Sequence, residues 1–214
     1  MSIIEDKEYM EELARQTLSY IKEYASSELE RKDAPDLQDC INNHGIEVVQ
    51  DVYENEQETI RFIEAISSTP VSQIPENKLK RLKKRAGVSI CNDKIQSVSL
   101  SKTSAIDTTH LIETIKQKID KLNAGNYSKV ATCSLYVFVD TVFIDEYFSS
   151  CVEKTLEEIR LYTKPLMFKM LYLDYYYGIC ICDIEAGVIK NRVKLDQDAR
   201  KNIRDAVKIE LGMN

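Results

Sequence analysis

Ala131-Thr132-Cys133-Ser134-Leu135-Tyr136-Val137-Phe138-Val139 is a near-continuous apolar run. A strand with one wet face alternates apolar and polar residues, so a run without alternation belongs to a strand covered on both faces. Helices usually supply that cover, which points to an α/β arrangement of two or three layers.

The rest of the chain carries the matching pieces. Residues 4 to 30 read as one helix, with Ile4, Met10, Leu13, Thr17, Ile21 and Tyr24 recurring at threes and fours and acids such as Glu12, Glu23 and Glu28 on a solvated face. Asn55 to Ser67 reads as a second helix, and Asp107-Thr108-Thr109 caps a third that runs to about Asn123 with Leu111, Ile112, Ile115, Ile119 and Leu122 on one stripe. Phe143 to Tyr162 and Gln197 to Leu211 complete the helical set. Residues 88 to 101 form a hairpin turning at Asn92-Asp93. Leu166–Asp174 and Tyr176–Asp183 are strands, and Ile189–Leu195 is an edge strand.

A chain of 214 residues, 43% hydrophobic, is read as a single α/β domain over 1–214, to which a small appendage can belong. Its core spans about 4–183, and 184–214 add an edge strand and helix. The net charge of −6 means that nucleic acid binds only through a local basic patch. No stretch approaches 18 apolar residues and the amino terminus shows no signal-peptide pattern, so the expectation is a cytoplasmic protein with no membrane partner.

Six scattered cysteines and two histidines do not make a zinc pattern, and reduced, buried thiols are expected. Only Cys180-Ile181-Cys182 is close-spaced, with both side chains on one face of a strand. No glycine-rich phosphate loop is present.

Residues 33 to 50 carry the chemistry. Pro35-Asp36 opens a short apolar run, Asn42-Asn43-His44-Gly45 makes a turn, and the second run sets Glu47 between Ile46 and Val48. An isolated carboxylate among apolar neighbours costs several kcal/mol to desolvate, so it calls for a partner or a cation. Two acids brought together by a hairpin repel, and a divalent cation relieves that repulsion.

Pro35-Asp36 followed by Gly45-Ile46-Glu47-Val48 resembles the core of the PD-(D/E)xK nuclease superfamily, and is similar to bacterial members that lack the motif lysine. The resemblance implies a restriction-endonuclease-like fold, with a mixed central sheet flanked by helices. It further implies that Asp36, Glu47 and the carbonyl of Val49 bind Mg²⁺ or Mn²⁺ for phosphodiester cleavage, and that a homodimer is a natural working form. Val49 stands where the family has its lysine. Gln50, or a lysine from the helix over 107–123, Lys116 or Lys118, is then expected to orient the attacking water. A glutamate of the first helix joins the metal in some members.

Lys78-Leu79-Lys80-Arg81-Leu82-Lys83-Lys84-Arg85 packs six basic residues into eight. Lys80, Arg81, Lys83, Lys84 and Arg85 are the candidate phosphate contacts. The alternative reading is a non-catalytic binding module of the same fold, in a mobile element or an antiphage system.

Overall fold

The computed structural model describes residues 7–21, 28–51, 69–100, 108–127, 130–139, 145–175 and 178–213, with the side chains at 81, 84–87, 96–100 and 145–147 outside that description. The chain divides into two compact units, one of Ile3–Asp51 with Ala105–Asn214, the other of Val52–Ser104 with the first two residues. The helix expected over 55–67 lies outside the described residues.

The larger unit begins with α1 (Lys7–Leu18), β1 (Leu29–Arg31), β2 (Leu37–Asp39) and β3 (His44–Asp51). The smaller unit supplies α2 (Glu76–Arg85), β4 (Ala86–Cys91) and β5 (Lys94–Leu100). The larger one resumes with α3 (Thr109–Asn123), β6 (Thr132–Val139), α4 (Asp145–Leu161), β7 (Met170–Tyr175), β8 (Gly178–Asp183), β9 (Val188–Lys194) and α5 (Gln197–Glu210).

Seven strands form one mixed sheet in the order β1-β2-β3-β6-β7-β8-β9. The three central strands, β3, β6 and β7, run parallel, and antiparallel strands flank them on both sides. Alternation along β6 explains why two layers of helix are needed. Leu135, Val137 and Val139 meet Leu111, Ile115 and Ile119 of α3 and Phe148, Val152 and Leu156 of α4. Tyr136 and Phe138 turn the other way, toward Ala14 and Leu18 of α1 and Ile203 of α5. The apolar run of residues 131–139 is thus a strand covered on both faces, in a three-layer α/β unit.

The first helix is shorter than its pattern suggests. It ends at Leu18, and Leu29 and Glu30, read as its tail, form a strand antiparallel to β2. Periodicity alone extends a helix across residues whose hydrogen bonds go to a neighbouring strand. Glu12 is also corrected: it is buried, not solvated, and accepts from Arg15 and Gln16.

In the smaller unit, Leu79 and Leu82 of α2 pack with Val71, Ile74, Val88 and Ile95. The hairpin β4–β5 turns at Asn92 and Asp93, both with positive φ, and Asp93 accepts from the backbone and hydroxyl of Ser72. Among the described residues no helix is long and apolar enough to cross a membrane.

Candidate functional site

Gly45 is where the site is assembled. A Cβ there would stand 2.2 Å from Cγ of Pro35, so only glycine lets the Pro35-Asp36 corner lie down on β3. With the corner in place, β2 pairs with β3 as far as Leu37 opposite Ile46. Beyond that point β3 has lost its ladder partner on this edge, and Asp36 replaces it: the amide of Val48 donates to Asp36 Oδ2 at 2.8 Å.

That bond fixes the orientation of the strand's backbone. In an extended strand the N–H and C=O of one residue face the same edge and those of the next residue the opposite edge. Val48 therefore turns its carbonyl, as well as its amide, toward Asp36. Val49 turns its own toward β6, where it sits in register with Val137. The carbonyl on the acids' edge is that of Val48, and not that of Val49 as read from the motif.

Side chains obey the same alternation. Ile46 and Val48 face the α1 layer, Glu47 and Val49 the α3 layer. Gln50 falls on the face of Ile46 and Val48, opposite to Glu47.

Glu47 is buried, and its partner comes from α3. Leu111, Ile115 and Ile119 of that helix are fixed on the sheet, and Lys118 stands at the flank of their stripe. Its side chain is largely buried and its Nζ reaches Glu47 Oε1 at 2.5 Å. Lys116 points elsewhere, pairing with Glu158 at 3.6 Å and lying over the ring of Tyr162. Of the two lysines offered by the sequence, the structure brings Lys118 to the acid.

Asp36 has a second neighbour. Lys7 Nζ, at the start of α1, lies 3.1 Å from Asp36 Oδ1 and 3.2 Å from Glu11 Oε1. Glu11 is itself buried and close enough to Asp36 for their charges to interact, so three carboxylates and two ammonium groups share this end of the sheet. Burial raises the proton affinity of Glu47, and the charge of Asp36 raises it further against the opposing pull of Lys118. Burial likewise raises Glu11, helped by Asp36 and opposed by Lys7.

The buried hydroxyl of Tyr127 lies beside Glu47: burial and the carboxylate raise the tyrosine's proton affinity and the tyrosine lowers that of Glu47, though the two do not meet the criteria of a hydrogen bond. Burial and the charge of Glu47 push the Cys133 thiol up to about 12.

Four residues further along β3, Asp51 is fully buried against Nδ1 of His110 at the start of α3. The helix is thus fastened to β3 at two places, His110 on Asp51 and Lys118 on Glu47. His44 does not join the acids; its Nδ1 meets the hydroxyl of Thr132 at 2.6 Å.

The donor set suits a hard divalent ion in its chemistry: carboxylate oxygens and a backbone carbonyl. In the arrangement described, ammonium groups neutralise the carboxylates. Among the described residues no three His, Cys, Asp or Glu side chains are gathered as a ligand set. Of the basic run, Lys80 and Lys83 are exposed, Lys80 paired with Glu76 at 2.7 Å, while the side chains of Arg81, Lys84 and Arg85 lie outside the described set.

Lys7, Glu11, Tyr127 and the Asp51–His110 pair were not singled out from the sequence. The Lys7–Glu11 spacing of four is visible there as an ordinary helical ion pair. Its meaning depends on Pro35 resting on Gly45, a contact with no local signature. Comparison with family models, curated proteins and solved structures gave no match.

Proposed function

We propose that the acids at the junction of β2, β3 and α1 form a divalent-metal site for phosphodiester cleavage in nucleic acid, on a restriction-endonuclease-like plan. The observation that carries this reading is the contact of Lys118 with Glu47, beside an Asp36 bound to the next backbone amide. Supporting it, α1, β1–β3, α3 and β6 follow the order helix, three strands, helix, strand, with β3 and β6 parallel.

In this reading Asp36, Glu47 and the carbonyl of Val48 hold the ion, and Glu11 adds a further carboxylate. A bound Mg²⁺ or Mn²⁺ supplies charge neutralisation at the phosphate and a more acidic water. Lys118 favours the ionised form of Glu47 against the cost of burial and holds its carboxylate, and the same ammonium would be within reach to orient a water. The hydroxyl of Tyr127 lies beside that carboxylate. The exposed Lys80 and Lys83 provide sequence-independent phosphate contacts.

The experiment is cleavage of labelled single- and double-stranded DNA and RNA with Mg²⁺ or Mn²⁺, comparing the native chain with Asp36→Asn, Glu47→Gln and Lys118→Met. Metal-dependent cleavage lost in all three variants supports the reading. Saturation of the acids by Lys7 and Lys118 favours a second one, a non-catalytic nucleic-acid-binding module of the same fold. Binding without cleavage under any metal would select it.

A further inference from the structure

Cys180 and Cys182 stand side by side on the α3/α4 face of β8, their Sγ atoms 3.8 Å apart and both thiols fully buried. We propose that this pair is a reversible dithiol–disulfide site, closed by hydrogen peroxide or an alkyl peroxide and reopened by a small thiol.

Residues two apart on an extended strand are separated by about 6.6 Å. That is just inside the Cα separation of roughly 6.8 Å at which a disulfide still forms. A bond at that limit is strained, and strained disulfides are the easily reduced ones. The ladder beside the pair is irregular: the register with β9 shifts between Ile181 and Cys182, leaving Lys190 of β9 as the extra residue opposite them.

The two thiols face each other across 3.8 Å, either able to donate to the other. Arg192 of β9 stands in register with Cys180, and its charge favours a thiolate there against the cost of burial. Cys133 and Cys151, by contrast, are driven toward the inert thiol by burial. Access runs past β9, the edge strand of the sheet, where Val188 is 47% exposed and most side chains face solvent. An edge strand of this kind opens locally at low cost.

In the first step Sγ of Cys180 attacks a peroxide oxygen, the O–O bond breaks, and the departing hydroxide takes up a proton to leave as water. In the second, Sγ of Cys182 attacks Sγ of the Cys180 sulfenic acid, the S–O bond breaks, and a second water departs with the proton of Cys182. The two sulfurs together lose two electrons, and one hydrogen peroxide becomes two waters; with an alkyl hydroperoxide the first leaving group departs as the alcohol.

Trypsin cutting after Lys169 and Lys190 releases both cysteines, and no other, in the single peptide 170–190. The test treats the full reduced chain with hydrogen peroxide under native conditions, alkylates the remaining thiols and maps that peptide by mass. The expected result is loss of two hydrogens and of alkylation, reversed by dithiothreitol. Cys182→Ser should stop at a Cys180 sulfenic acid that dimedone traps. The proposal is overturned if the native peptide keeps two alkylatable thiols while the exposed Cys40 and Cys91 are oxidised, or if it gains oxygen without bridging. The native peptide map decides by itself should the variant not fold.

Discussion

Lys118 Nζ and Glu47 Oε1 lie 2.5 Å apart with both side chains largely withdrawn from water, which joins α3 to a buried acid of a central strand. Removing one member of such a pair leaves an uncompensated buried charge, at a cost of about 3–5 kcal/mol. Lys118→Met alone is expected to lower unfolding free energy by about that much, while Lys118→Met with Glu47→Leu recovers most of it. Urea denaturation of the two single variants and the double variant checks this. A Lys118→Met variant as stable as the native chain would show the contact to be ornamental.

Lys7 pairs with Asp36 and Glu11, so a cation drawn to those carboxylates would have to displace it. It is 71% exposed and lies in the first turn of α1, so it can swing away without disturbing the core. Lys7→Gln should bind Mn²⁺ several-fold more tightly than the native chain by calorimetry. Weaker binding would make Lys7 a helper of the site and not a placeholder.

The Asp174–Arg200 pair anchors α5 to the sheet. Arg200 binds both carboxylate oxygens and the carbonyls of Tyr175 and Gly178, and the Tyr136 hydroxyl donates to the same carboxylate at 2.5 Å. Arg200→Met should cost about 3–5 kcal/mol at neutral pH. Burial already raises the proton affinity of Asp174, so the variant relieves its charge by taking up a proton. The loss should therefore shrink as pH falls toward the ordinary carboxylate range, which chemical denaturation at several pH values will show.

Burial, with a smaller push from Lys169, lowers the pKa of His44 below the ordinary imidazole value of 6.5. The unfolded chain then takes up this proton at higher pH than the folded one, so the share of stability owed to a neutral His44 is present above about 6.5 and is lost as pH falls through the folded value. His44→Asn should flatten the melting temperature between pH 7 and pH 5 relative to the native chain. An unchanged slope would place the dependence on other groups.

Lys80→Glu with Lys83→Glu should weaken binding to nucleic acid in a way that does not depend on base sequence. The slope of log affinity against log salt should fall by about 0.9 for each phosphate contact removed from a duplex. Fluorescence anisotropy across a salt series measures it, and an unchanged slope would free the basic run from that role.

Much of this architecture is written in local patterns. The β6 run and the α3 stripe are short-range signals and reappear within a residue or two, and α5 begins at Gln197 as its pattern says, capped by Asp196, whose carboxylate accepts from Ala199. The hairpin acids were legible too, because a charge between Ile46 and Val48 is costly wherever it is buried. Choosing between Lys116 and Lys118 was not, since both flank the same stripe and only the seating of α3 on β3 separates them. Glu11 and Glu12 were hidden for a related reason: on a polar helix flank, burial is decided by what packs there. The carbonyl at Val48 became visible only with the bond from its amide to Asp36.

The most direct measurement is the melting temperature of the native chain, Asp36→Ala and Glu47→Ala across a Mg²⁺ and Mn²⁺ titration. An ion that binds only the folded chain stabilises it by about 2.7 kcal/mol at a hundred times its dissociation constant. The account predicts a saturable rise for the native chain that disappears in both variants. A native chain indifferent to either metal, or variants that respond as the native chain does, would contradict it.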